Sequence, residues 1–254
     1  MPLTTDQLRD FHRDGYLILP QAVPRELVLA ARQAINRNLG SEGLPPDKLT
    51  TYSAQSFCPS IQHDPAITDV YNRSPLCEIV EGMLGEGRVM PVGGAQIALR
   101  FPGFGQKRGM EVHGHLDGIG TDTNGIPKGQ FRRGFSALVT VYVGDTLEPW
   151  RGNFTVWPGS HHVAEKFFQE ATPDELRKGM PALQLTRDPV QVCGQAGDVC
   201  ISHHQLVHGA APNFGPDIRY AEIFRVAHAE TKTFGTAAMT DIWHEWPGVR
   251  AALV

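Results

Sequence analysis

His115 and Asp117 stand two residues apart in the segment Glu111-Val-His-Gly-His-Leu-Asp-Gly118. On an extended chain both side chains leave one face, with their Cα atoms about 6–7 Å apart, so a single cation can take both. A third donor must come from elsewhere in the chain. His208, in Leu206-Val-His-Gly-Ala-Ala-Pro212, ends an apolar run and is followed by turn residues. Two imidazoles and one carboxylate on one face leave three positions open on an octahedral metal. That set suits Fe(II), O2 and a chelating organic acid. A lone His-x-Asp recurs by chance and can be a simple hydrogen bond, so a further element is needed.

Arg219 supplies it, eleven residues past His208 and across a Pro-Asn-Phe-Gly-Pro turn. A guanidinium fork grips a carboxylate through two parallel hydrogen bonds, which lysine does less well. A metal plus one inward-facing arginine is the minimum equipment for 2-oxoglutarate. Its 2-oxo acid end would chelate the metal and its far carboxylate would meet Arg219.

His113 competes with His115 for the ligand role. It lies four residues from Asp117, about 13 Å along a strand, too far for one ion unless the chain bends. His113 is therefore read either as a substrate or oxoacid contact or as an exposed polar residue. Gln96, Ala98 and Arg100 share one strand face. Gln96 reaches either the oxoacid or substrate, or only the sheet rim. Thr140 either donates to a co-substrate carboxylate or simply favours a strand. Ala210, two past His208, would pack beside the co-substrate. Trp157 and Trp150 could stack on a ring substrate or anchor the core. Arg108, with Lys107, Arg132 and Arg133, could steer an anionic substrate or belong to solvated loops. The pairs His161-His162 and His203-His204 face opposite ways on any strand and read as surface or rim residues.

The elements that must hold these residues follow from periodicity. A capped helix is expected over 4–14, a short strand at Tyr16–Leu19, a second helix over about 24–39, and a helical stripe from Ile67 to Leu84 broken near Pro75. From about residue 88 the pattern turns to short strands, at 89–101, 135–143, 153–157, 190–192, 198–202 and 220–227, with a helical insert at 173–178. Gly 27 and Pro 19 support many turns. Helices first and strands afterwards give a mainly β fold with N-terminal helices, a β-sandwich or jelly roll. The expected division is one domain over 1–254, with a helical cover over 1–85, a jelly-roll core over 86–230 and a C-terminal extension over 231–254.

Composition narrows the partners. The net charge of −4 comes with no basic stripe, which argues against nucleic acid. No apolar run nears the roughly 20 residues that span a bilayer. The first residues carry no secretory pattern, and the four cysteines form no C-x-x-C, so a cytoplasmic protein with reduced thiols is expected.

With these residues in place, the chain resembles the phytanoyl-CoA dioxygenase family of Fe(II)/2-oxoglutarate oxygenases. The likeness rests on His115-x-Asp117, His208 and Arg219, on the opening Leu3–Pro20 with Phe11-His-Arg-Asp-Gly-Tyr16, and on Trp157-Pro-Gly-Ser-His161, Gly197-Asp198 and Trp243-His-Glu-Trp246. It implies a double-stranded β-helix (jelly roll, cupin-like), iron on His115, Asp117 and His208, 2-oxoglutarate on Arg219, and O2-dependent oxidation of an unactivated C–H bond. Asp117 is a carboxylate where related halogenases carry a small residue, which disfavours halogenation. Two departures, Val112-His113-Gly114 before the motif and Leu116 within it, imply different substrate-side contacts. The expected substrate is a small natural product or sugar-containing metabolite. The alternatives are an acyl-CoA or fatty acid, or a non-catalytic jelly-roll binding protein.

Overall fold

In a computed structural model, which describes residues 2–253, the chain runs helices first and strands later. Helix α1 spans Thr5–Asp14. Thr4 accepts from the Gln7 amide while the Gln7 side chain accepts from the Thr4 amide, and Gly15 ends the helix in a left-handed turn. Strand β1 (Tyr16–Leu19) follows, then α2 (Arg25–Glu42), α3 (Leu49–Ala54), α4 (Pro65–Asn72) and α5 (Leu76–Leu84). The stripe expected from Ile67 to Leu84 is thus two helices, parted at Pro75, which cannot continue a helical ladder.

The strands are β2 (Gln96–Arg100), β3 (Ala137–Tyr142), β4 (Phe154–Val156), β5 (Val190–Gln191), β6 (Val199–His203), β7 (His208–Ala210) and β8 (Arg219–Val226). Most are shorter than expected. The 89–101 run forms a strand only over its second half, with Val89 in a single bridge to His228. Helix α6 (Ser160–Glu170), between β4 and β5, was not expected at all. Two short helices, α7 (Thr231–Phe234) and α8 (Pro247–Ala251), complete the C-terminal segment.

The strands make two antiparallel sheets, ordered β1-β6-β3-β8-β2 and β5-β4-β7. This is the expected jelly roll. The strand expected at Tyr16–Leu19, inside the helical cover, joins the edge of the larger sheet as β1. Alternation sets the two faces of that sheet. Ala137, Val139, Val141, Ile97, Leu99, Phe224 and Val226 turn outward, into the cluster shared with Phe11, Ile35, Val70 and Met83 of the helices and Trp246 of the C-terminal segment. Leu138, Tyr142, Cys200 and Ala221 turn inward to meet Phe154 and Val156 of the smaller sheet. The inward face is therefore where a site can form.

Glu222 breaks the pattern of the outward face. It is fully buried beside Tyr220 and Phe224, and neither carboxylate oxygen has a hydrogen-bond partner. Burial raises its carboxyl well above the usual range. The folded state therefore disfavours ionisation, and the cost grows as pH rises above about 4.5, the unfolded value. Glu222→Met, of similar length and apolar, is expected to stabilise the fold at neutral pH by about 1–3 kcal/mol and by less under acid. Urea unfolding at pH 7 and pH 4.5 reads the difference.

The His pairs are not at the surface. His161, His203 and His204 are buried. His161 and His162 both donate through Nε2 to the His12 carbonyl, at 3.0 and 2.8 Å, and His203 donates to the Ile242 carbonyl at 2.9 Å. Trp243 packs against His12, His161 and His203. The cluster joins α1 and the C-terminal segment to the end of β6. Sequence reading put these pairs at the surface or rim because neighbours on a strand face opposite ways; His161 and His162 instead lie in helix α6. The His12 and Ile242 carbonyls each take one ring nitrogen, of His161 and His203, and Arg133 donates to His204, while Nδ1 of His161 and of His204 has no partner. Burial holds His161 and His204 well below the usual value and takes His203 to about 3. A depressed folded value keeps its stability above the unfolded value of 6.5 and loses it as pH falls below that. Each buried ring can then add up to about 1.4 kcal/mol of instability per pH unit. In the Glu222→Met background, where the opposing carboxyl is gone, thermal melts should be flat from pH 8 to 7 and fall steeply below 6.

Candidate metal centre

His115 has no long ladder to hold it. A single antiparallel bridge does so, the His115 amide donating to the His208 carbonyl at 2.9 Å and the His208 amide returning to the His115 carbonyl at 3.1 Å. The approach is close because Gly114 carries no side chain. A Cβ there would sit 2.6 Å from Val207 and 2.8 Å from the Trp157 ring. Trp157 therefore packs beneath the metal-binding segment, in the cluster of Leu116, Val207 and Phe168. Of its two readings, ring stacking and core anchoring, this packing supports the second.

The side chains of His115, Asp117 and His208 converge. Their candidate donor atoms all lie within 4.8 Å of one another. Oδ1 of Asp117 is 3.4 Å from Nε2 of His115 and 3.5 Å from Nε2 of His208. Nδ1 of His208 donates to the Leu206 carbonyl at 2.9 Å, which leaves the Nε2 lone pair facing the group. Burial alone would raise the Asp117 carboxyl. Arg225, followed by the two imidazoles, overrides it and holds the carboxyl well below the usual range. The set is two imidazoles and one ionised carboxylate, donors that suit a divalent ion. The His208 side chain is 7% exposed and that of His115 52%.

The inward face of the larger sheet runs from this group toward the closed end of the barrel. Cross-strand register puts Gln96 opposite Ile223, Ile223 opposite Thr140, and Thr140 opposite Cys200. Ala98 lies opposite Ala221, and Arg100 opposite Arg219. Thr140 is fully buried and its hydroxyl has no hydrogen-bond partner. Ala210 pairs with Phe154 on the facing sheet, two residues along from His208.

Arg219 lies on this inner face, 3% exposed. Nε donates to the Gly152 carbonyl at 2.7 Å and Nη1 to the Ala98 carbonyl at 2.8 Å. Gly152 must be glycine: its φ is +77°, and a Cβ would stand 2.7 Å from that of Arg100. Burial takes Arg219 down to about 10, so it stays charged at neutral pH. No carboxylate among the described residues pairs with it. A buried cation without an acid, on the same inward face as a buried hydroxyl without a partner, is a cradle for an anionic ligand.

Arg225 went unnoticed in the sequence. Its Nε and Nη2 meet Oδ2 of Asp117 at 3.0 and 2.9 Å, and its Nη1 donates to Oε1 of Gln96 at 2.9 Å. Six residues from Arg219 on the same strand, it shares the inward face; period two was the available signal. His113 is exposed, 3.7 Å from Glu111, and Arg108 is exposed on a 3-10 turn. Among the described residues neither is joined to the triad by any hydrogen bond or ion pair. Arg133, expected in a solvated loop, is instead buried in an ion pair with Glu245.

Known structures share this fold. The carbocyclase SnoK from nogalamycin biosynthesis, non-haem and α-ketoglutarate dependent, is 22% identical, with 89% of this chain and 85% of that one covered and a TM-score of 0.55. EctD from S. alaskensis, solved with 2-oxoglutarate and 5-hydroxyectoine, is 18% identical over 89% of this chain and 76% of its own, with a TM-score of 0.59. HygX from Streptomyces hygroscopicus, solved with nickel and 2-oxoglutarate, is 17% identical over 90% and 88%, with a TM-score of 0.52. No curated protein matches the sequence. The sequence pattern described as Phytanoyl-CoA dioxygenase (PhyH) matches residues 11–221, most of the chain. The chain belongs to the phytanoyl-CoA dioxygenase family of Fe(II)- and 2-oxoglutarate-dependent oxygenases.

Proposed function

We propose that the ion is held by His115, Asp117 and His208, that 2-oxoglutarate lies along the barrel floor with its far carboxylate on Arg219 and Thr140, and that the enzyme hydroxylates or oxidatively closes a ring on a small natural product. One observation carries the reading: three convergent metal donors share a barrel with a buried guanidinium that has no acid. When bound, iron with 2-oxoglutarate and O2 supplies the oxidising power for an unactivated C–H bond. The protein's residues do the rest. Arg219 and Thr140 orient the dicarboxylate, Ala210 and Ala98 leave room for it, and Phe154 and Ile223 wall it from water.

Beside Asp117 a cavity of about 10 Å³, room for a single water, is lined by Leu116, Phe131, Phe135, His204, Gln205 and Met239. Arg133 Nε donates to His204 Nε2 at 3.3 Å, so His204 Nδ1 carries a proton, and it has no acceptor. Gln205 donates to Met239 and leaves Oε1 unused. This imidazole and amide, on otherwise apolar walls, can bind one hydroxyl group or water. Two of the similar structures, SnoK and the epimerase SnoN, come from nogalamycin biosynthesis, which agrees with a natural-product substrate. The four free cysteines fit a cytoplasmic enzyme.

Anaerobic titration of the apoprotein with Fe(II), then 2-oxoglutarate, tests the reading. A visible charge-transfer absorption that needs both is expected; its absence sinks the proposal. Uncoupled succinate formation across hydroxylated metabolites then finds the substrate class.

A further inference from the structure

The carboxylate of Asp117 has its two oxygens divided between two tasks. Oδ1 faces both imidazoles. Oδ2 is taken by Nε and Nη2 of Arg225. Arg225 is itself restrained on two further sides. Its Nη1 donates to Gln96, which stands on the neighbouring strand and the same inward face, and its guanidinium lies 5.7 Å from the centre of the Phe135 ring. Leu138 is its cross-strand partner on β3. The guanidinium is therefore fixed by strand register and by three contacts, although 40% of its side chain is exposed.

We propose that Arg225, braced by Gln96, is a positioning residue that assigns one oxygen of Asp117 to the metal and keeps the other away from it. The proposal rests on the metal reading above. A carboxylate free to rotate can offer both oxygens to one ion and so fill a position that a chelating co-substrate needs. With Oδ2 held by two N–H donors, Asp117 offers one. The same contact orients Gln96. Its Oε1 accepts from Arg225, so its two amide hydrogens are what it presents to the barrel, and Gln96 acts toward an oxoacid only as a donor. Lysine would keep the charge but lose the fork that occupies Oδ2 and Gln96 together.

Co(II) serves as the probe ion and 2-oxoglutarate as the ligand, with wild type, Arg225→Met, Arg225→Lys and Gln96→Met compared. In Arg225→Met, Co(II) affinity is expected to stay within about threefold, while 2-oxoglutarate affinity for the Co(II) protein falls at least tenfold. The Co(II) ligand-field spectrum before 2-oxoglutarate should also change. Arg225→Lys should lie between, and Gln96→Met should move the same way by less. Unchanged 2-oxoglutarate affinity and spectrum overturn the proposal. So does a proportional loss of both affinities, which would mark a general collapse of the site. If Arg225→Met does not fold, Arg225→Lys and Gln96→Met carry the same comparison. A wild-type protein that fails to bind Co(II) or 2-oxoglutarate would instead defeat the metal reading itself, a separable result.

Discussion

His208→Ala is expected to abolish 2-oxoglutarate turnover and weaken metal binding by well over about 100-fold, beyond what loss of an outer-sphere partner typically costs. His208 is the ligand that the fold holds most firmly. It sits in β7, paired with Val156, with its ring oriented by the Leu206 carbonyl and packed near Phe154. Its removal leaves His115, half exposed on a single bridge, and Asp117, whose other oxygen already answers to Arg225. Two donors of that kind do not hold a divalent ion against water. Calorimetric titration of the folded variant with Co(II), beside succinate production with Fe(II), reads both losses. Retention of wild-type binding would show that the ion, if any, sits elsewhere. Asp117→Ala should be comparably severe, and it also strands the guanidinium of Arg225.

Arg219→Leu should spare the metal and strike the co-substrate. A carboxylate brought into the barrel without its cation loses about 2–4 kcal/mol of charge-assisted hydrogen bonding, roughly 30- to 700-fold in affinity. Co(II) affinity should be unchanged, because Arg219 lies at the other end of β8 from Arg225. Lysine at 219 should recover only part, since it cannot hold the Gly152 and Ala98 carbonyls while also reaching a ligand. The stability of the leucine variant is expected to hold or rise, because a buried charge without an acid is removed. An Arg219→Leu protein that binds 2-oxoglutarate as the wild type does would refute this placement. The two variants together separate the ends of the site: one loses the ion, the other only the dicarboxylate.

The parts of this site that were legible in the sequence are those written in local spacing. His115 and Asp117 are two apart, and extended backbone converts that into one face. Arg219 was legible because a turn and a short strand fix its distance from His208. Gln96 was read as a co-substrate or rim residue and Thr140 as a co-substrate donor or a mere strand former; the fold puts both on the inward face. Arg225 was legible only in its facing. Period two from Arg219 puts it on the inward face, but its role comes from Asp117, far away in sequence and 2.9 Å away in space. The buried histidines failed for a related reason. Their burial depends on the carbonyls of His12 and Ile242, which only tertiary contact supplies. Helix α6 begins at Ser160 behind a left-handed Gly159 and opens with His-His, so its start carries no side-chain cap to announce it. Trp157 was ambiguous between ring binding and packing until Gly114 was seen pressed against it.

The single bridge between His115 and His208 has a consequence for how the ion comes and goes. Two of the three donors ride on one lip of chain, fastened to the barrel by two backbone hydrogen bonds, a tight glycine contact and the fork of Arg225 on Asp117. The third is part of the barrel wall. An ion seated among them would act as a rivet through the seam, clamping the lip shut. Release of the ion and loosening of the lip are then one event, and a chelator works by prising open a joint as much as by competing for a ligand.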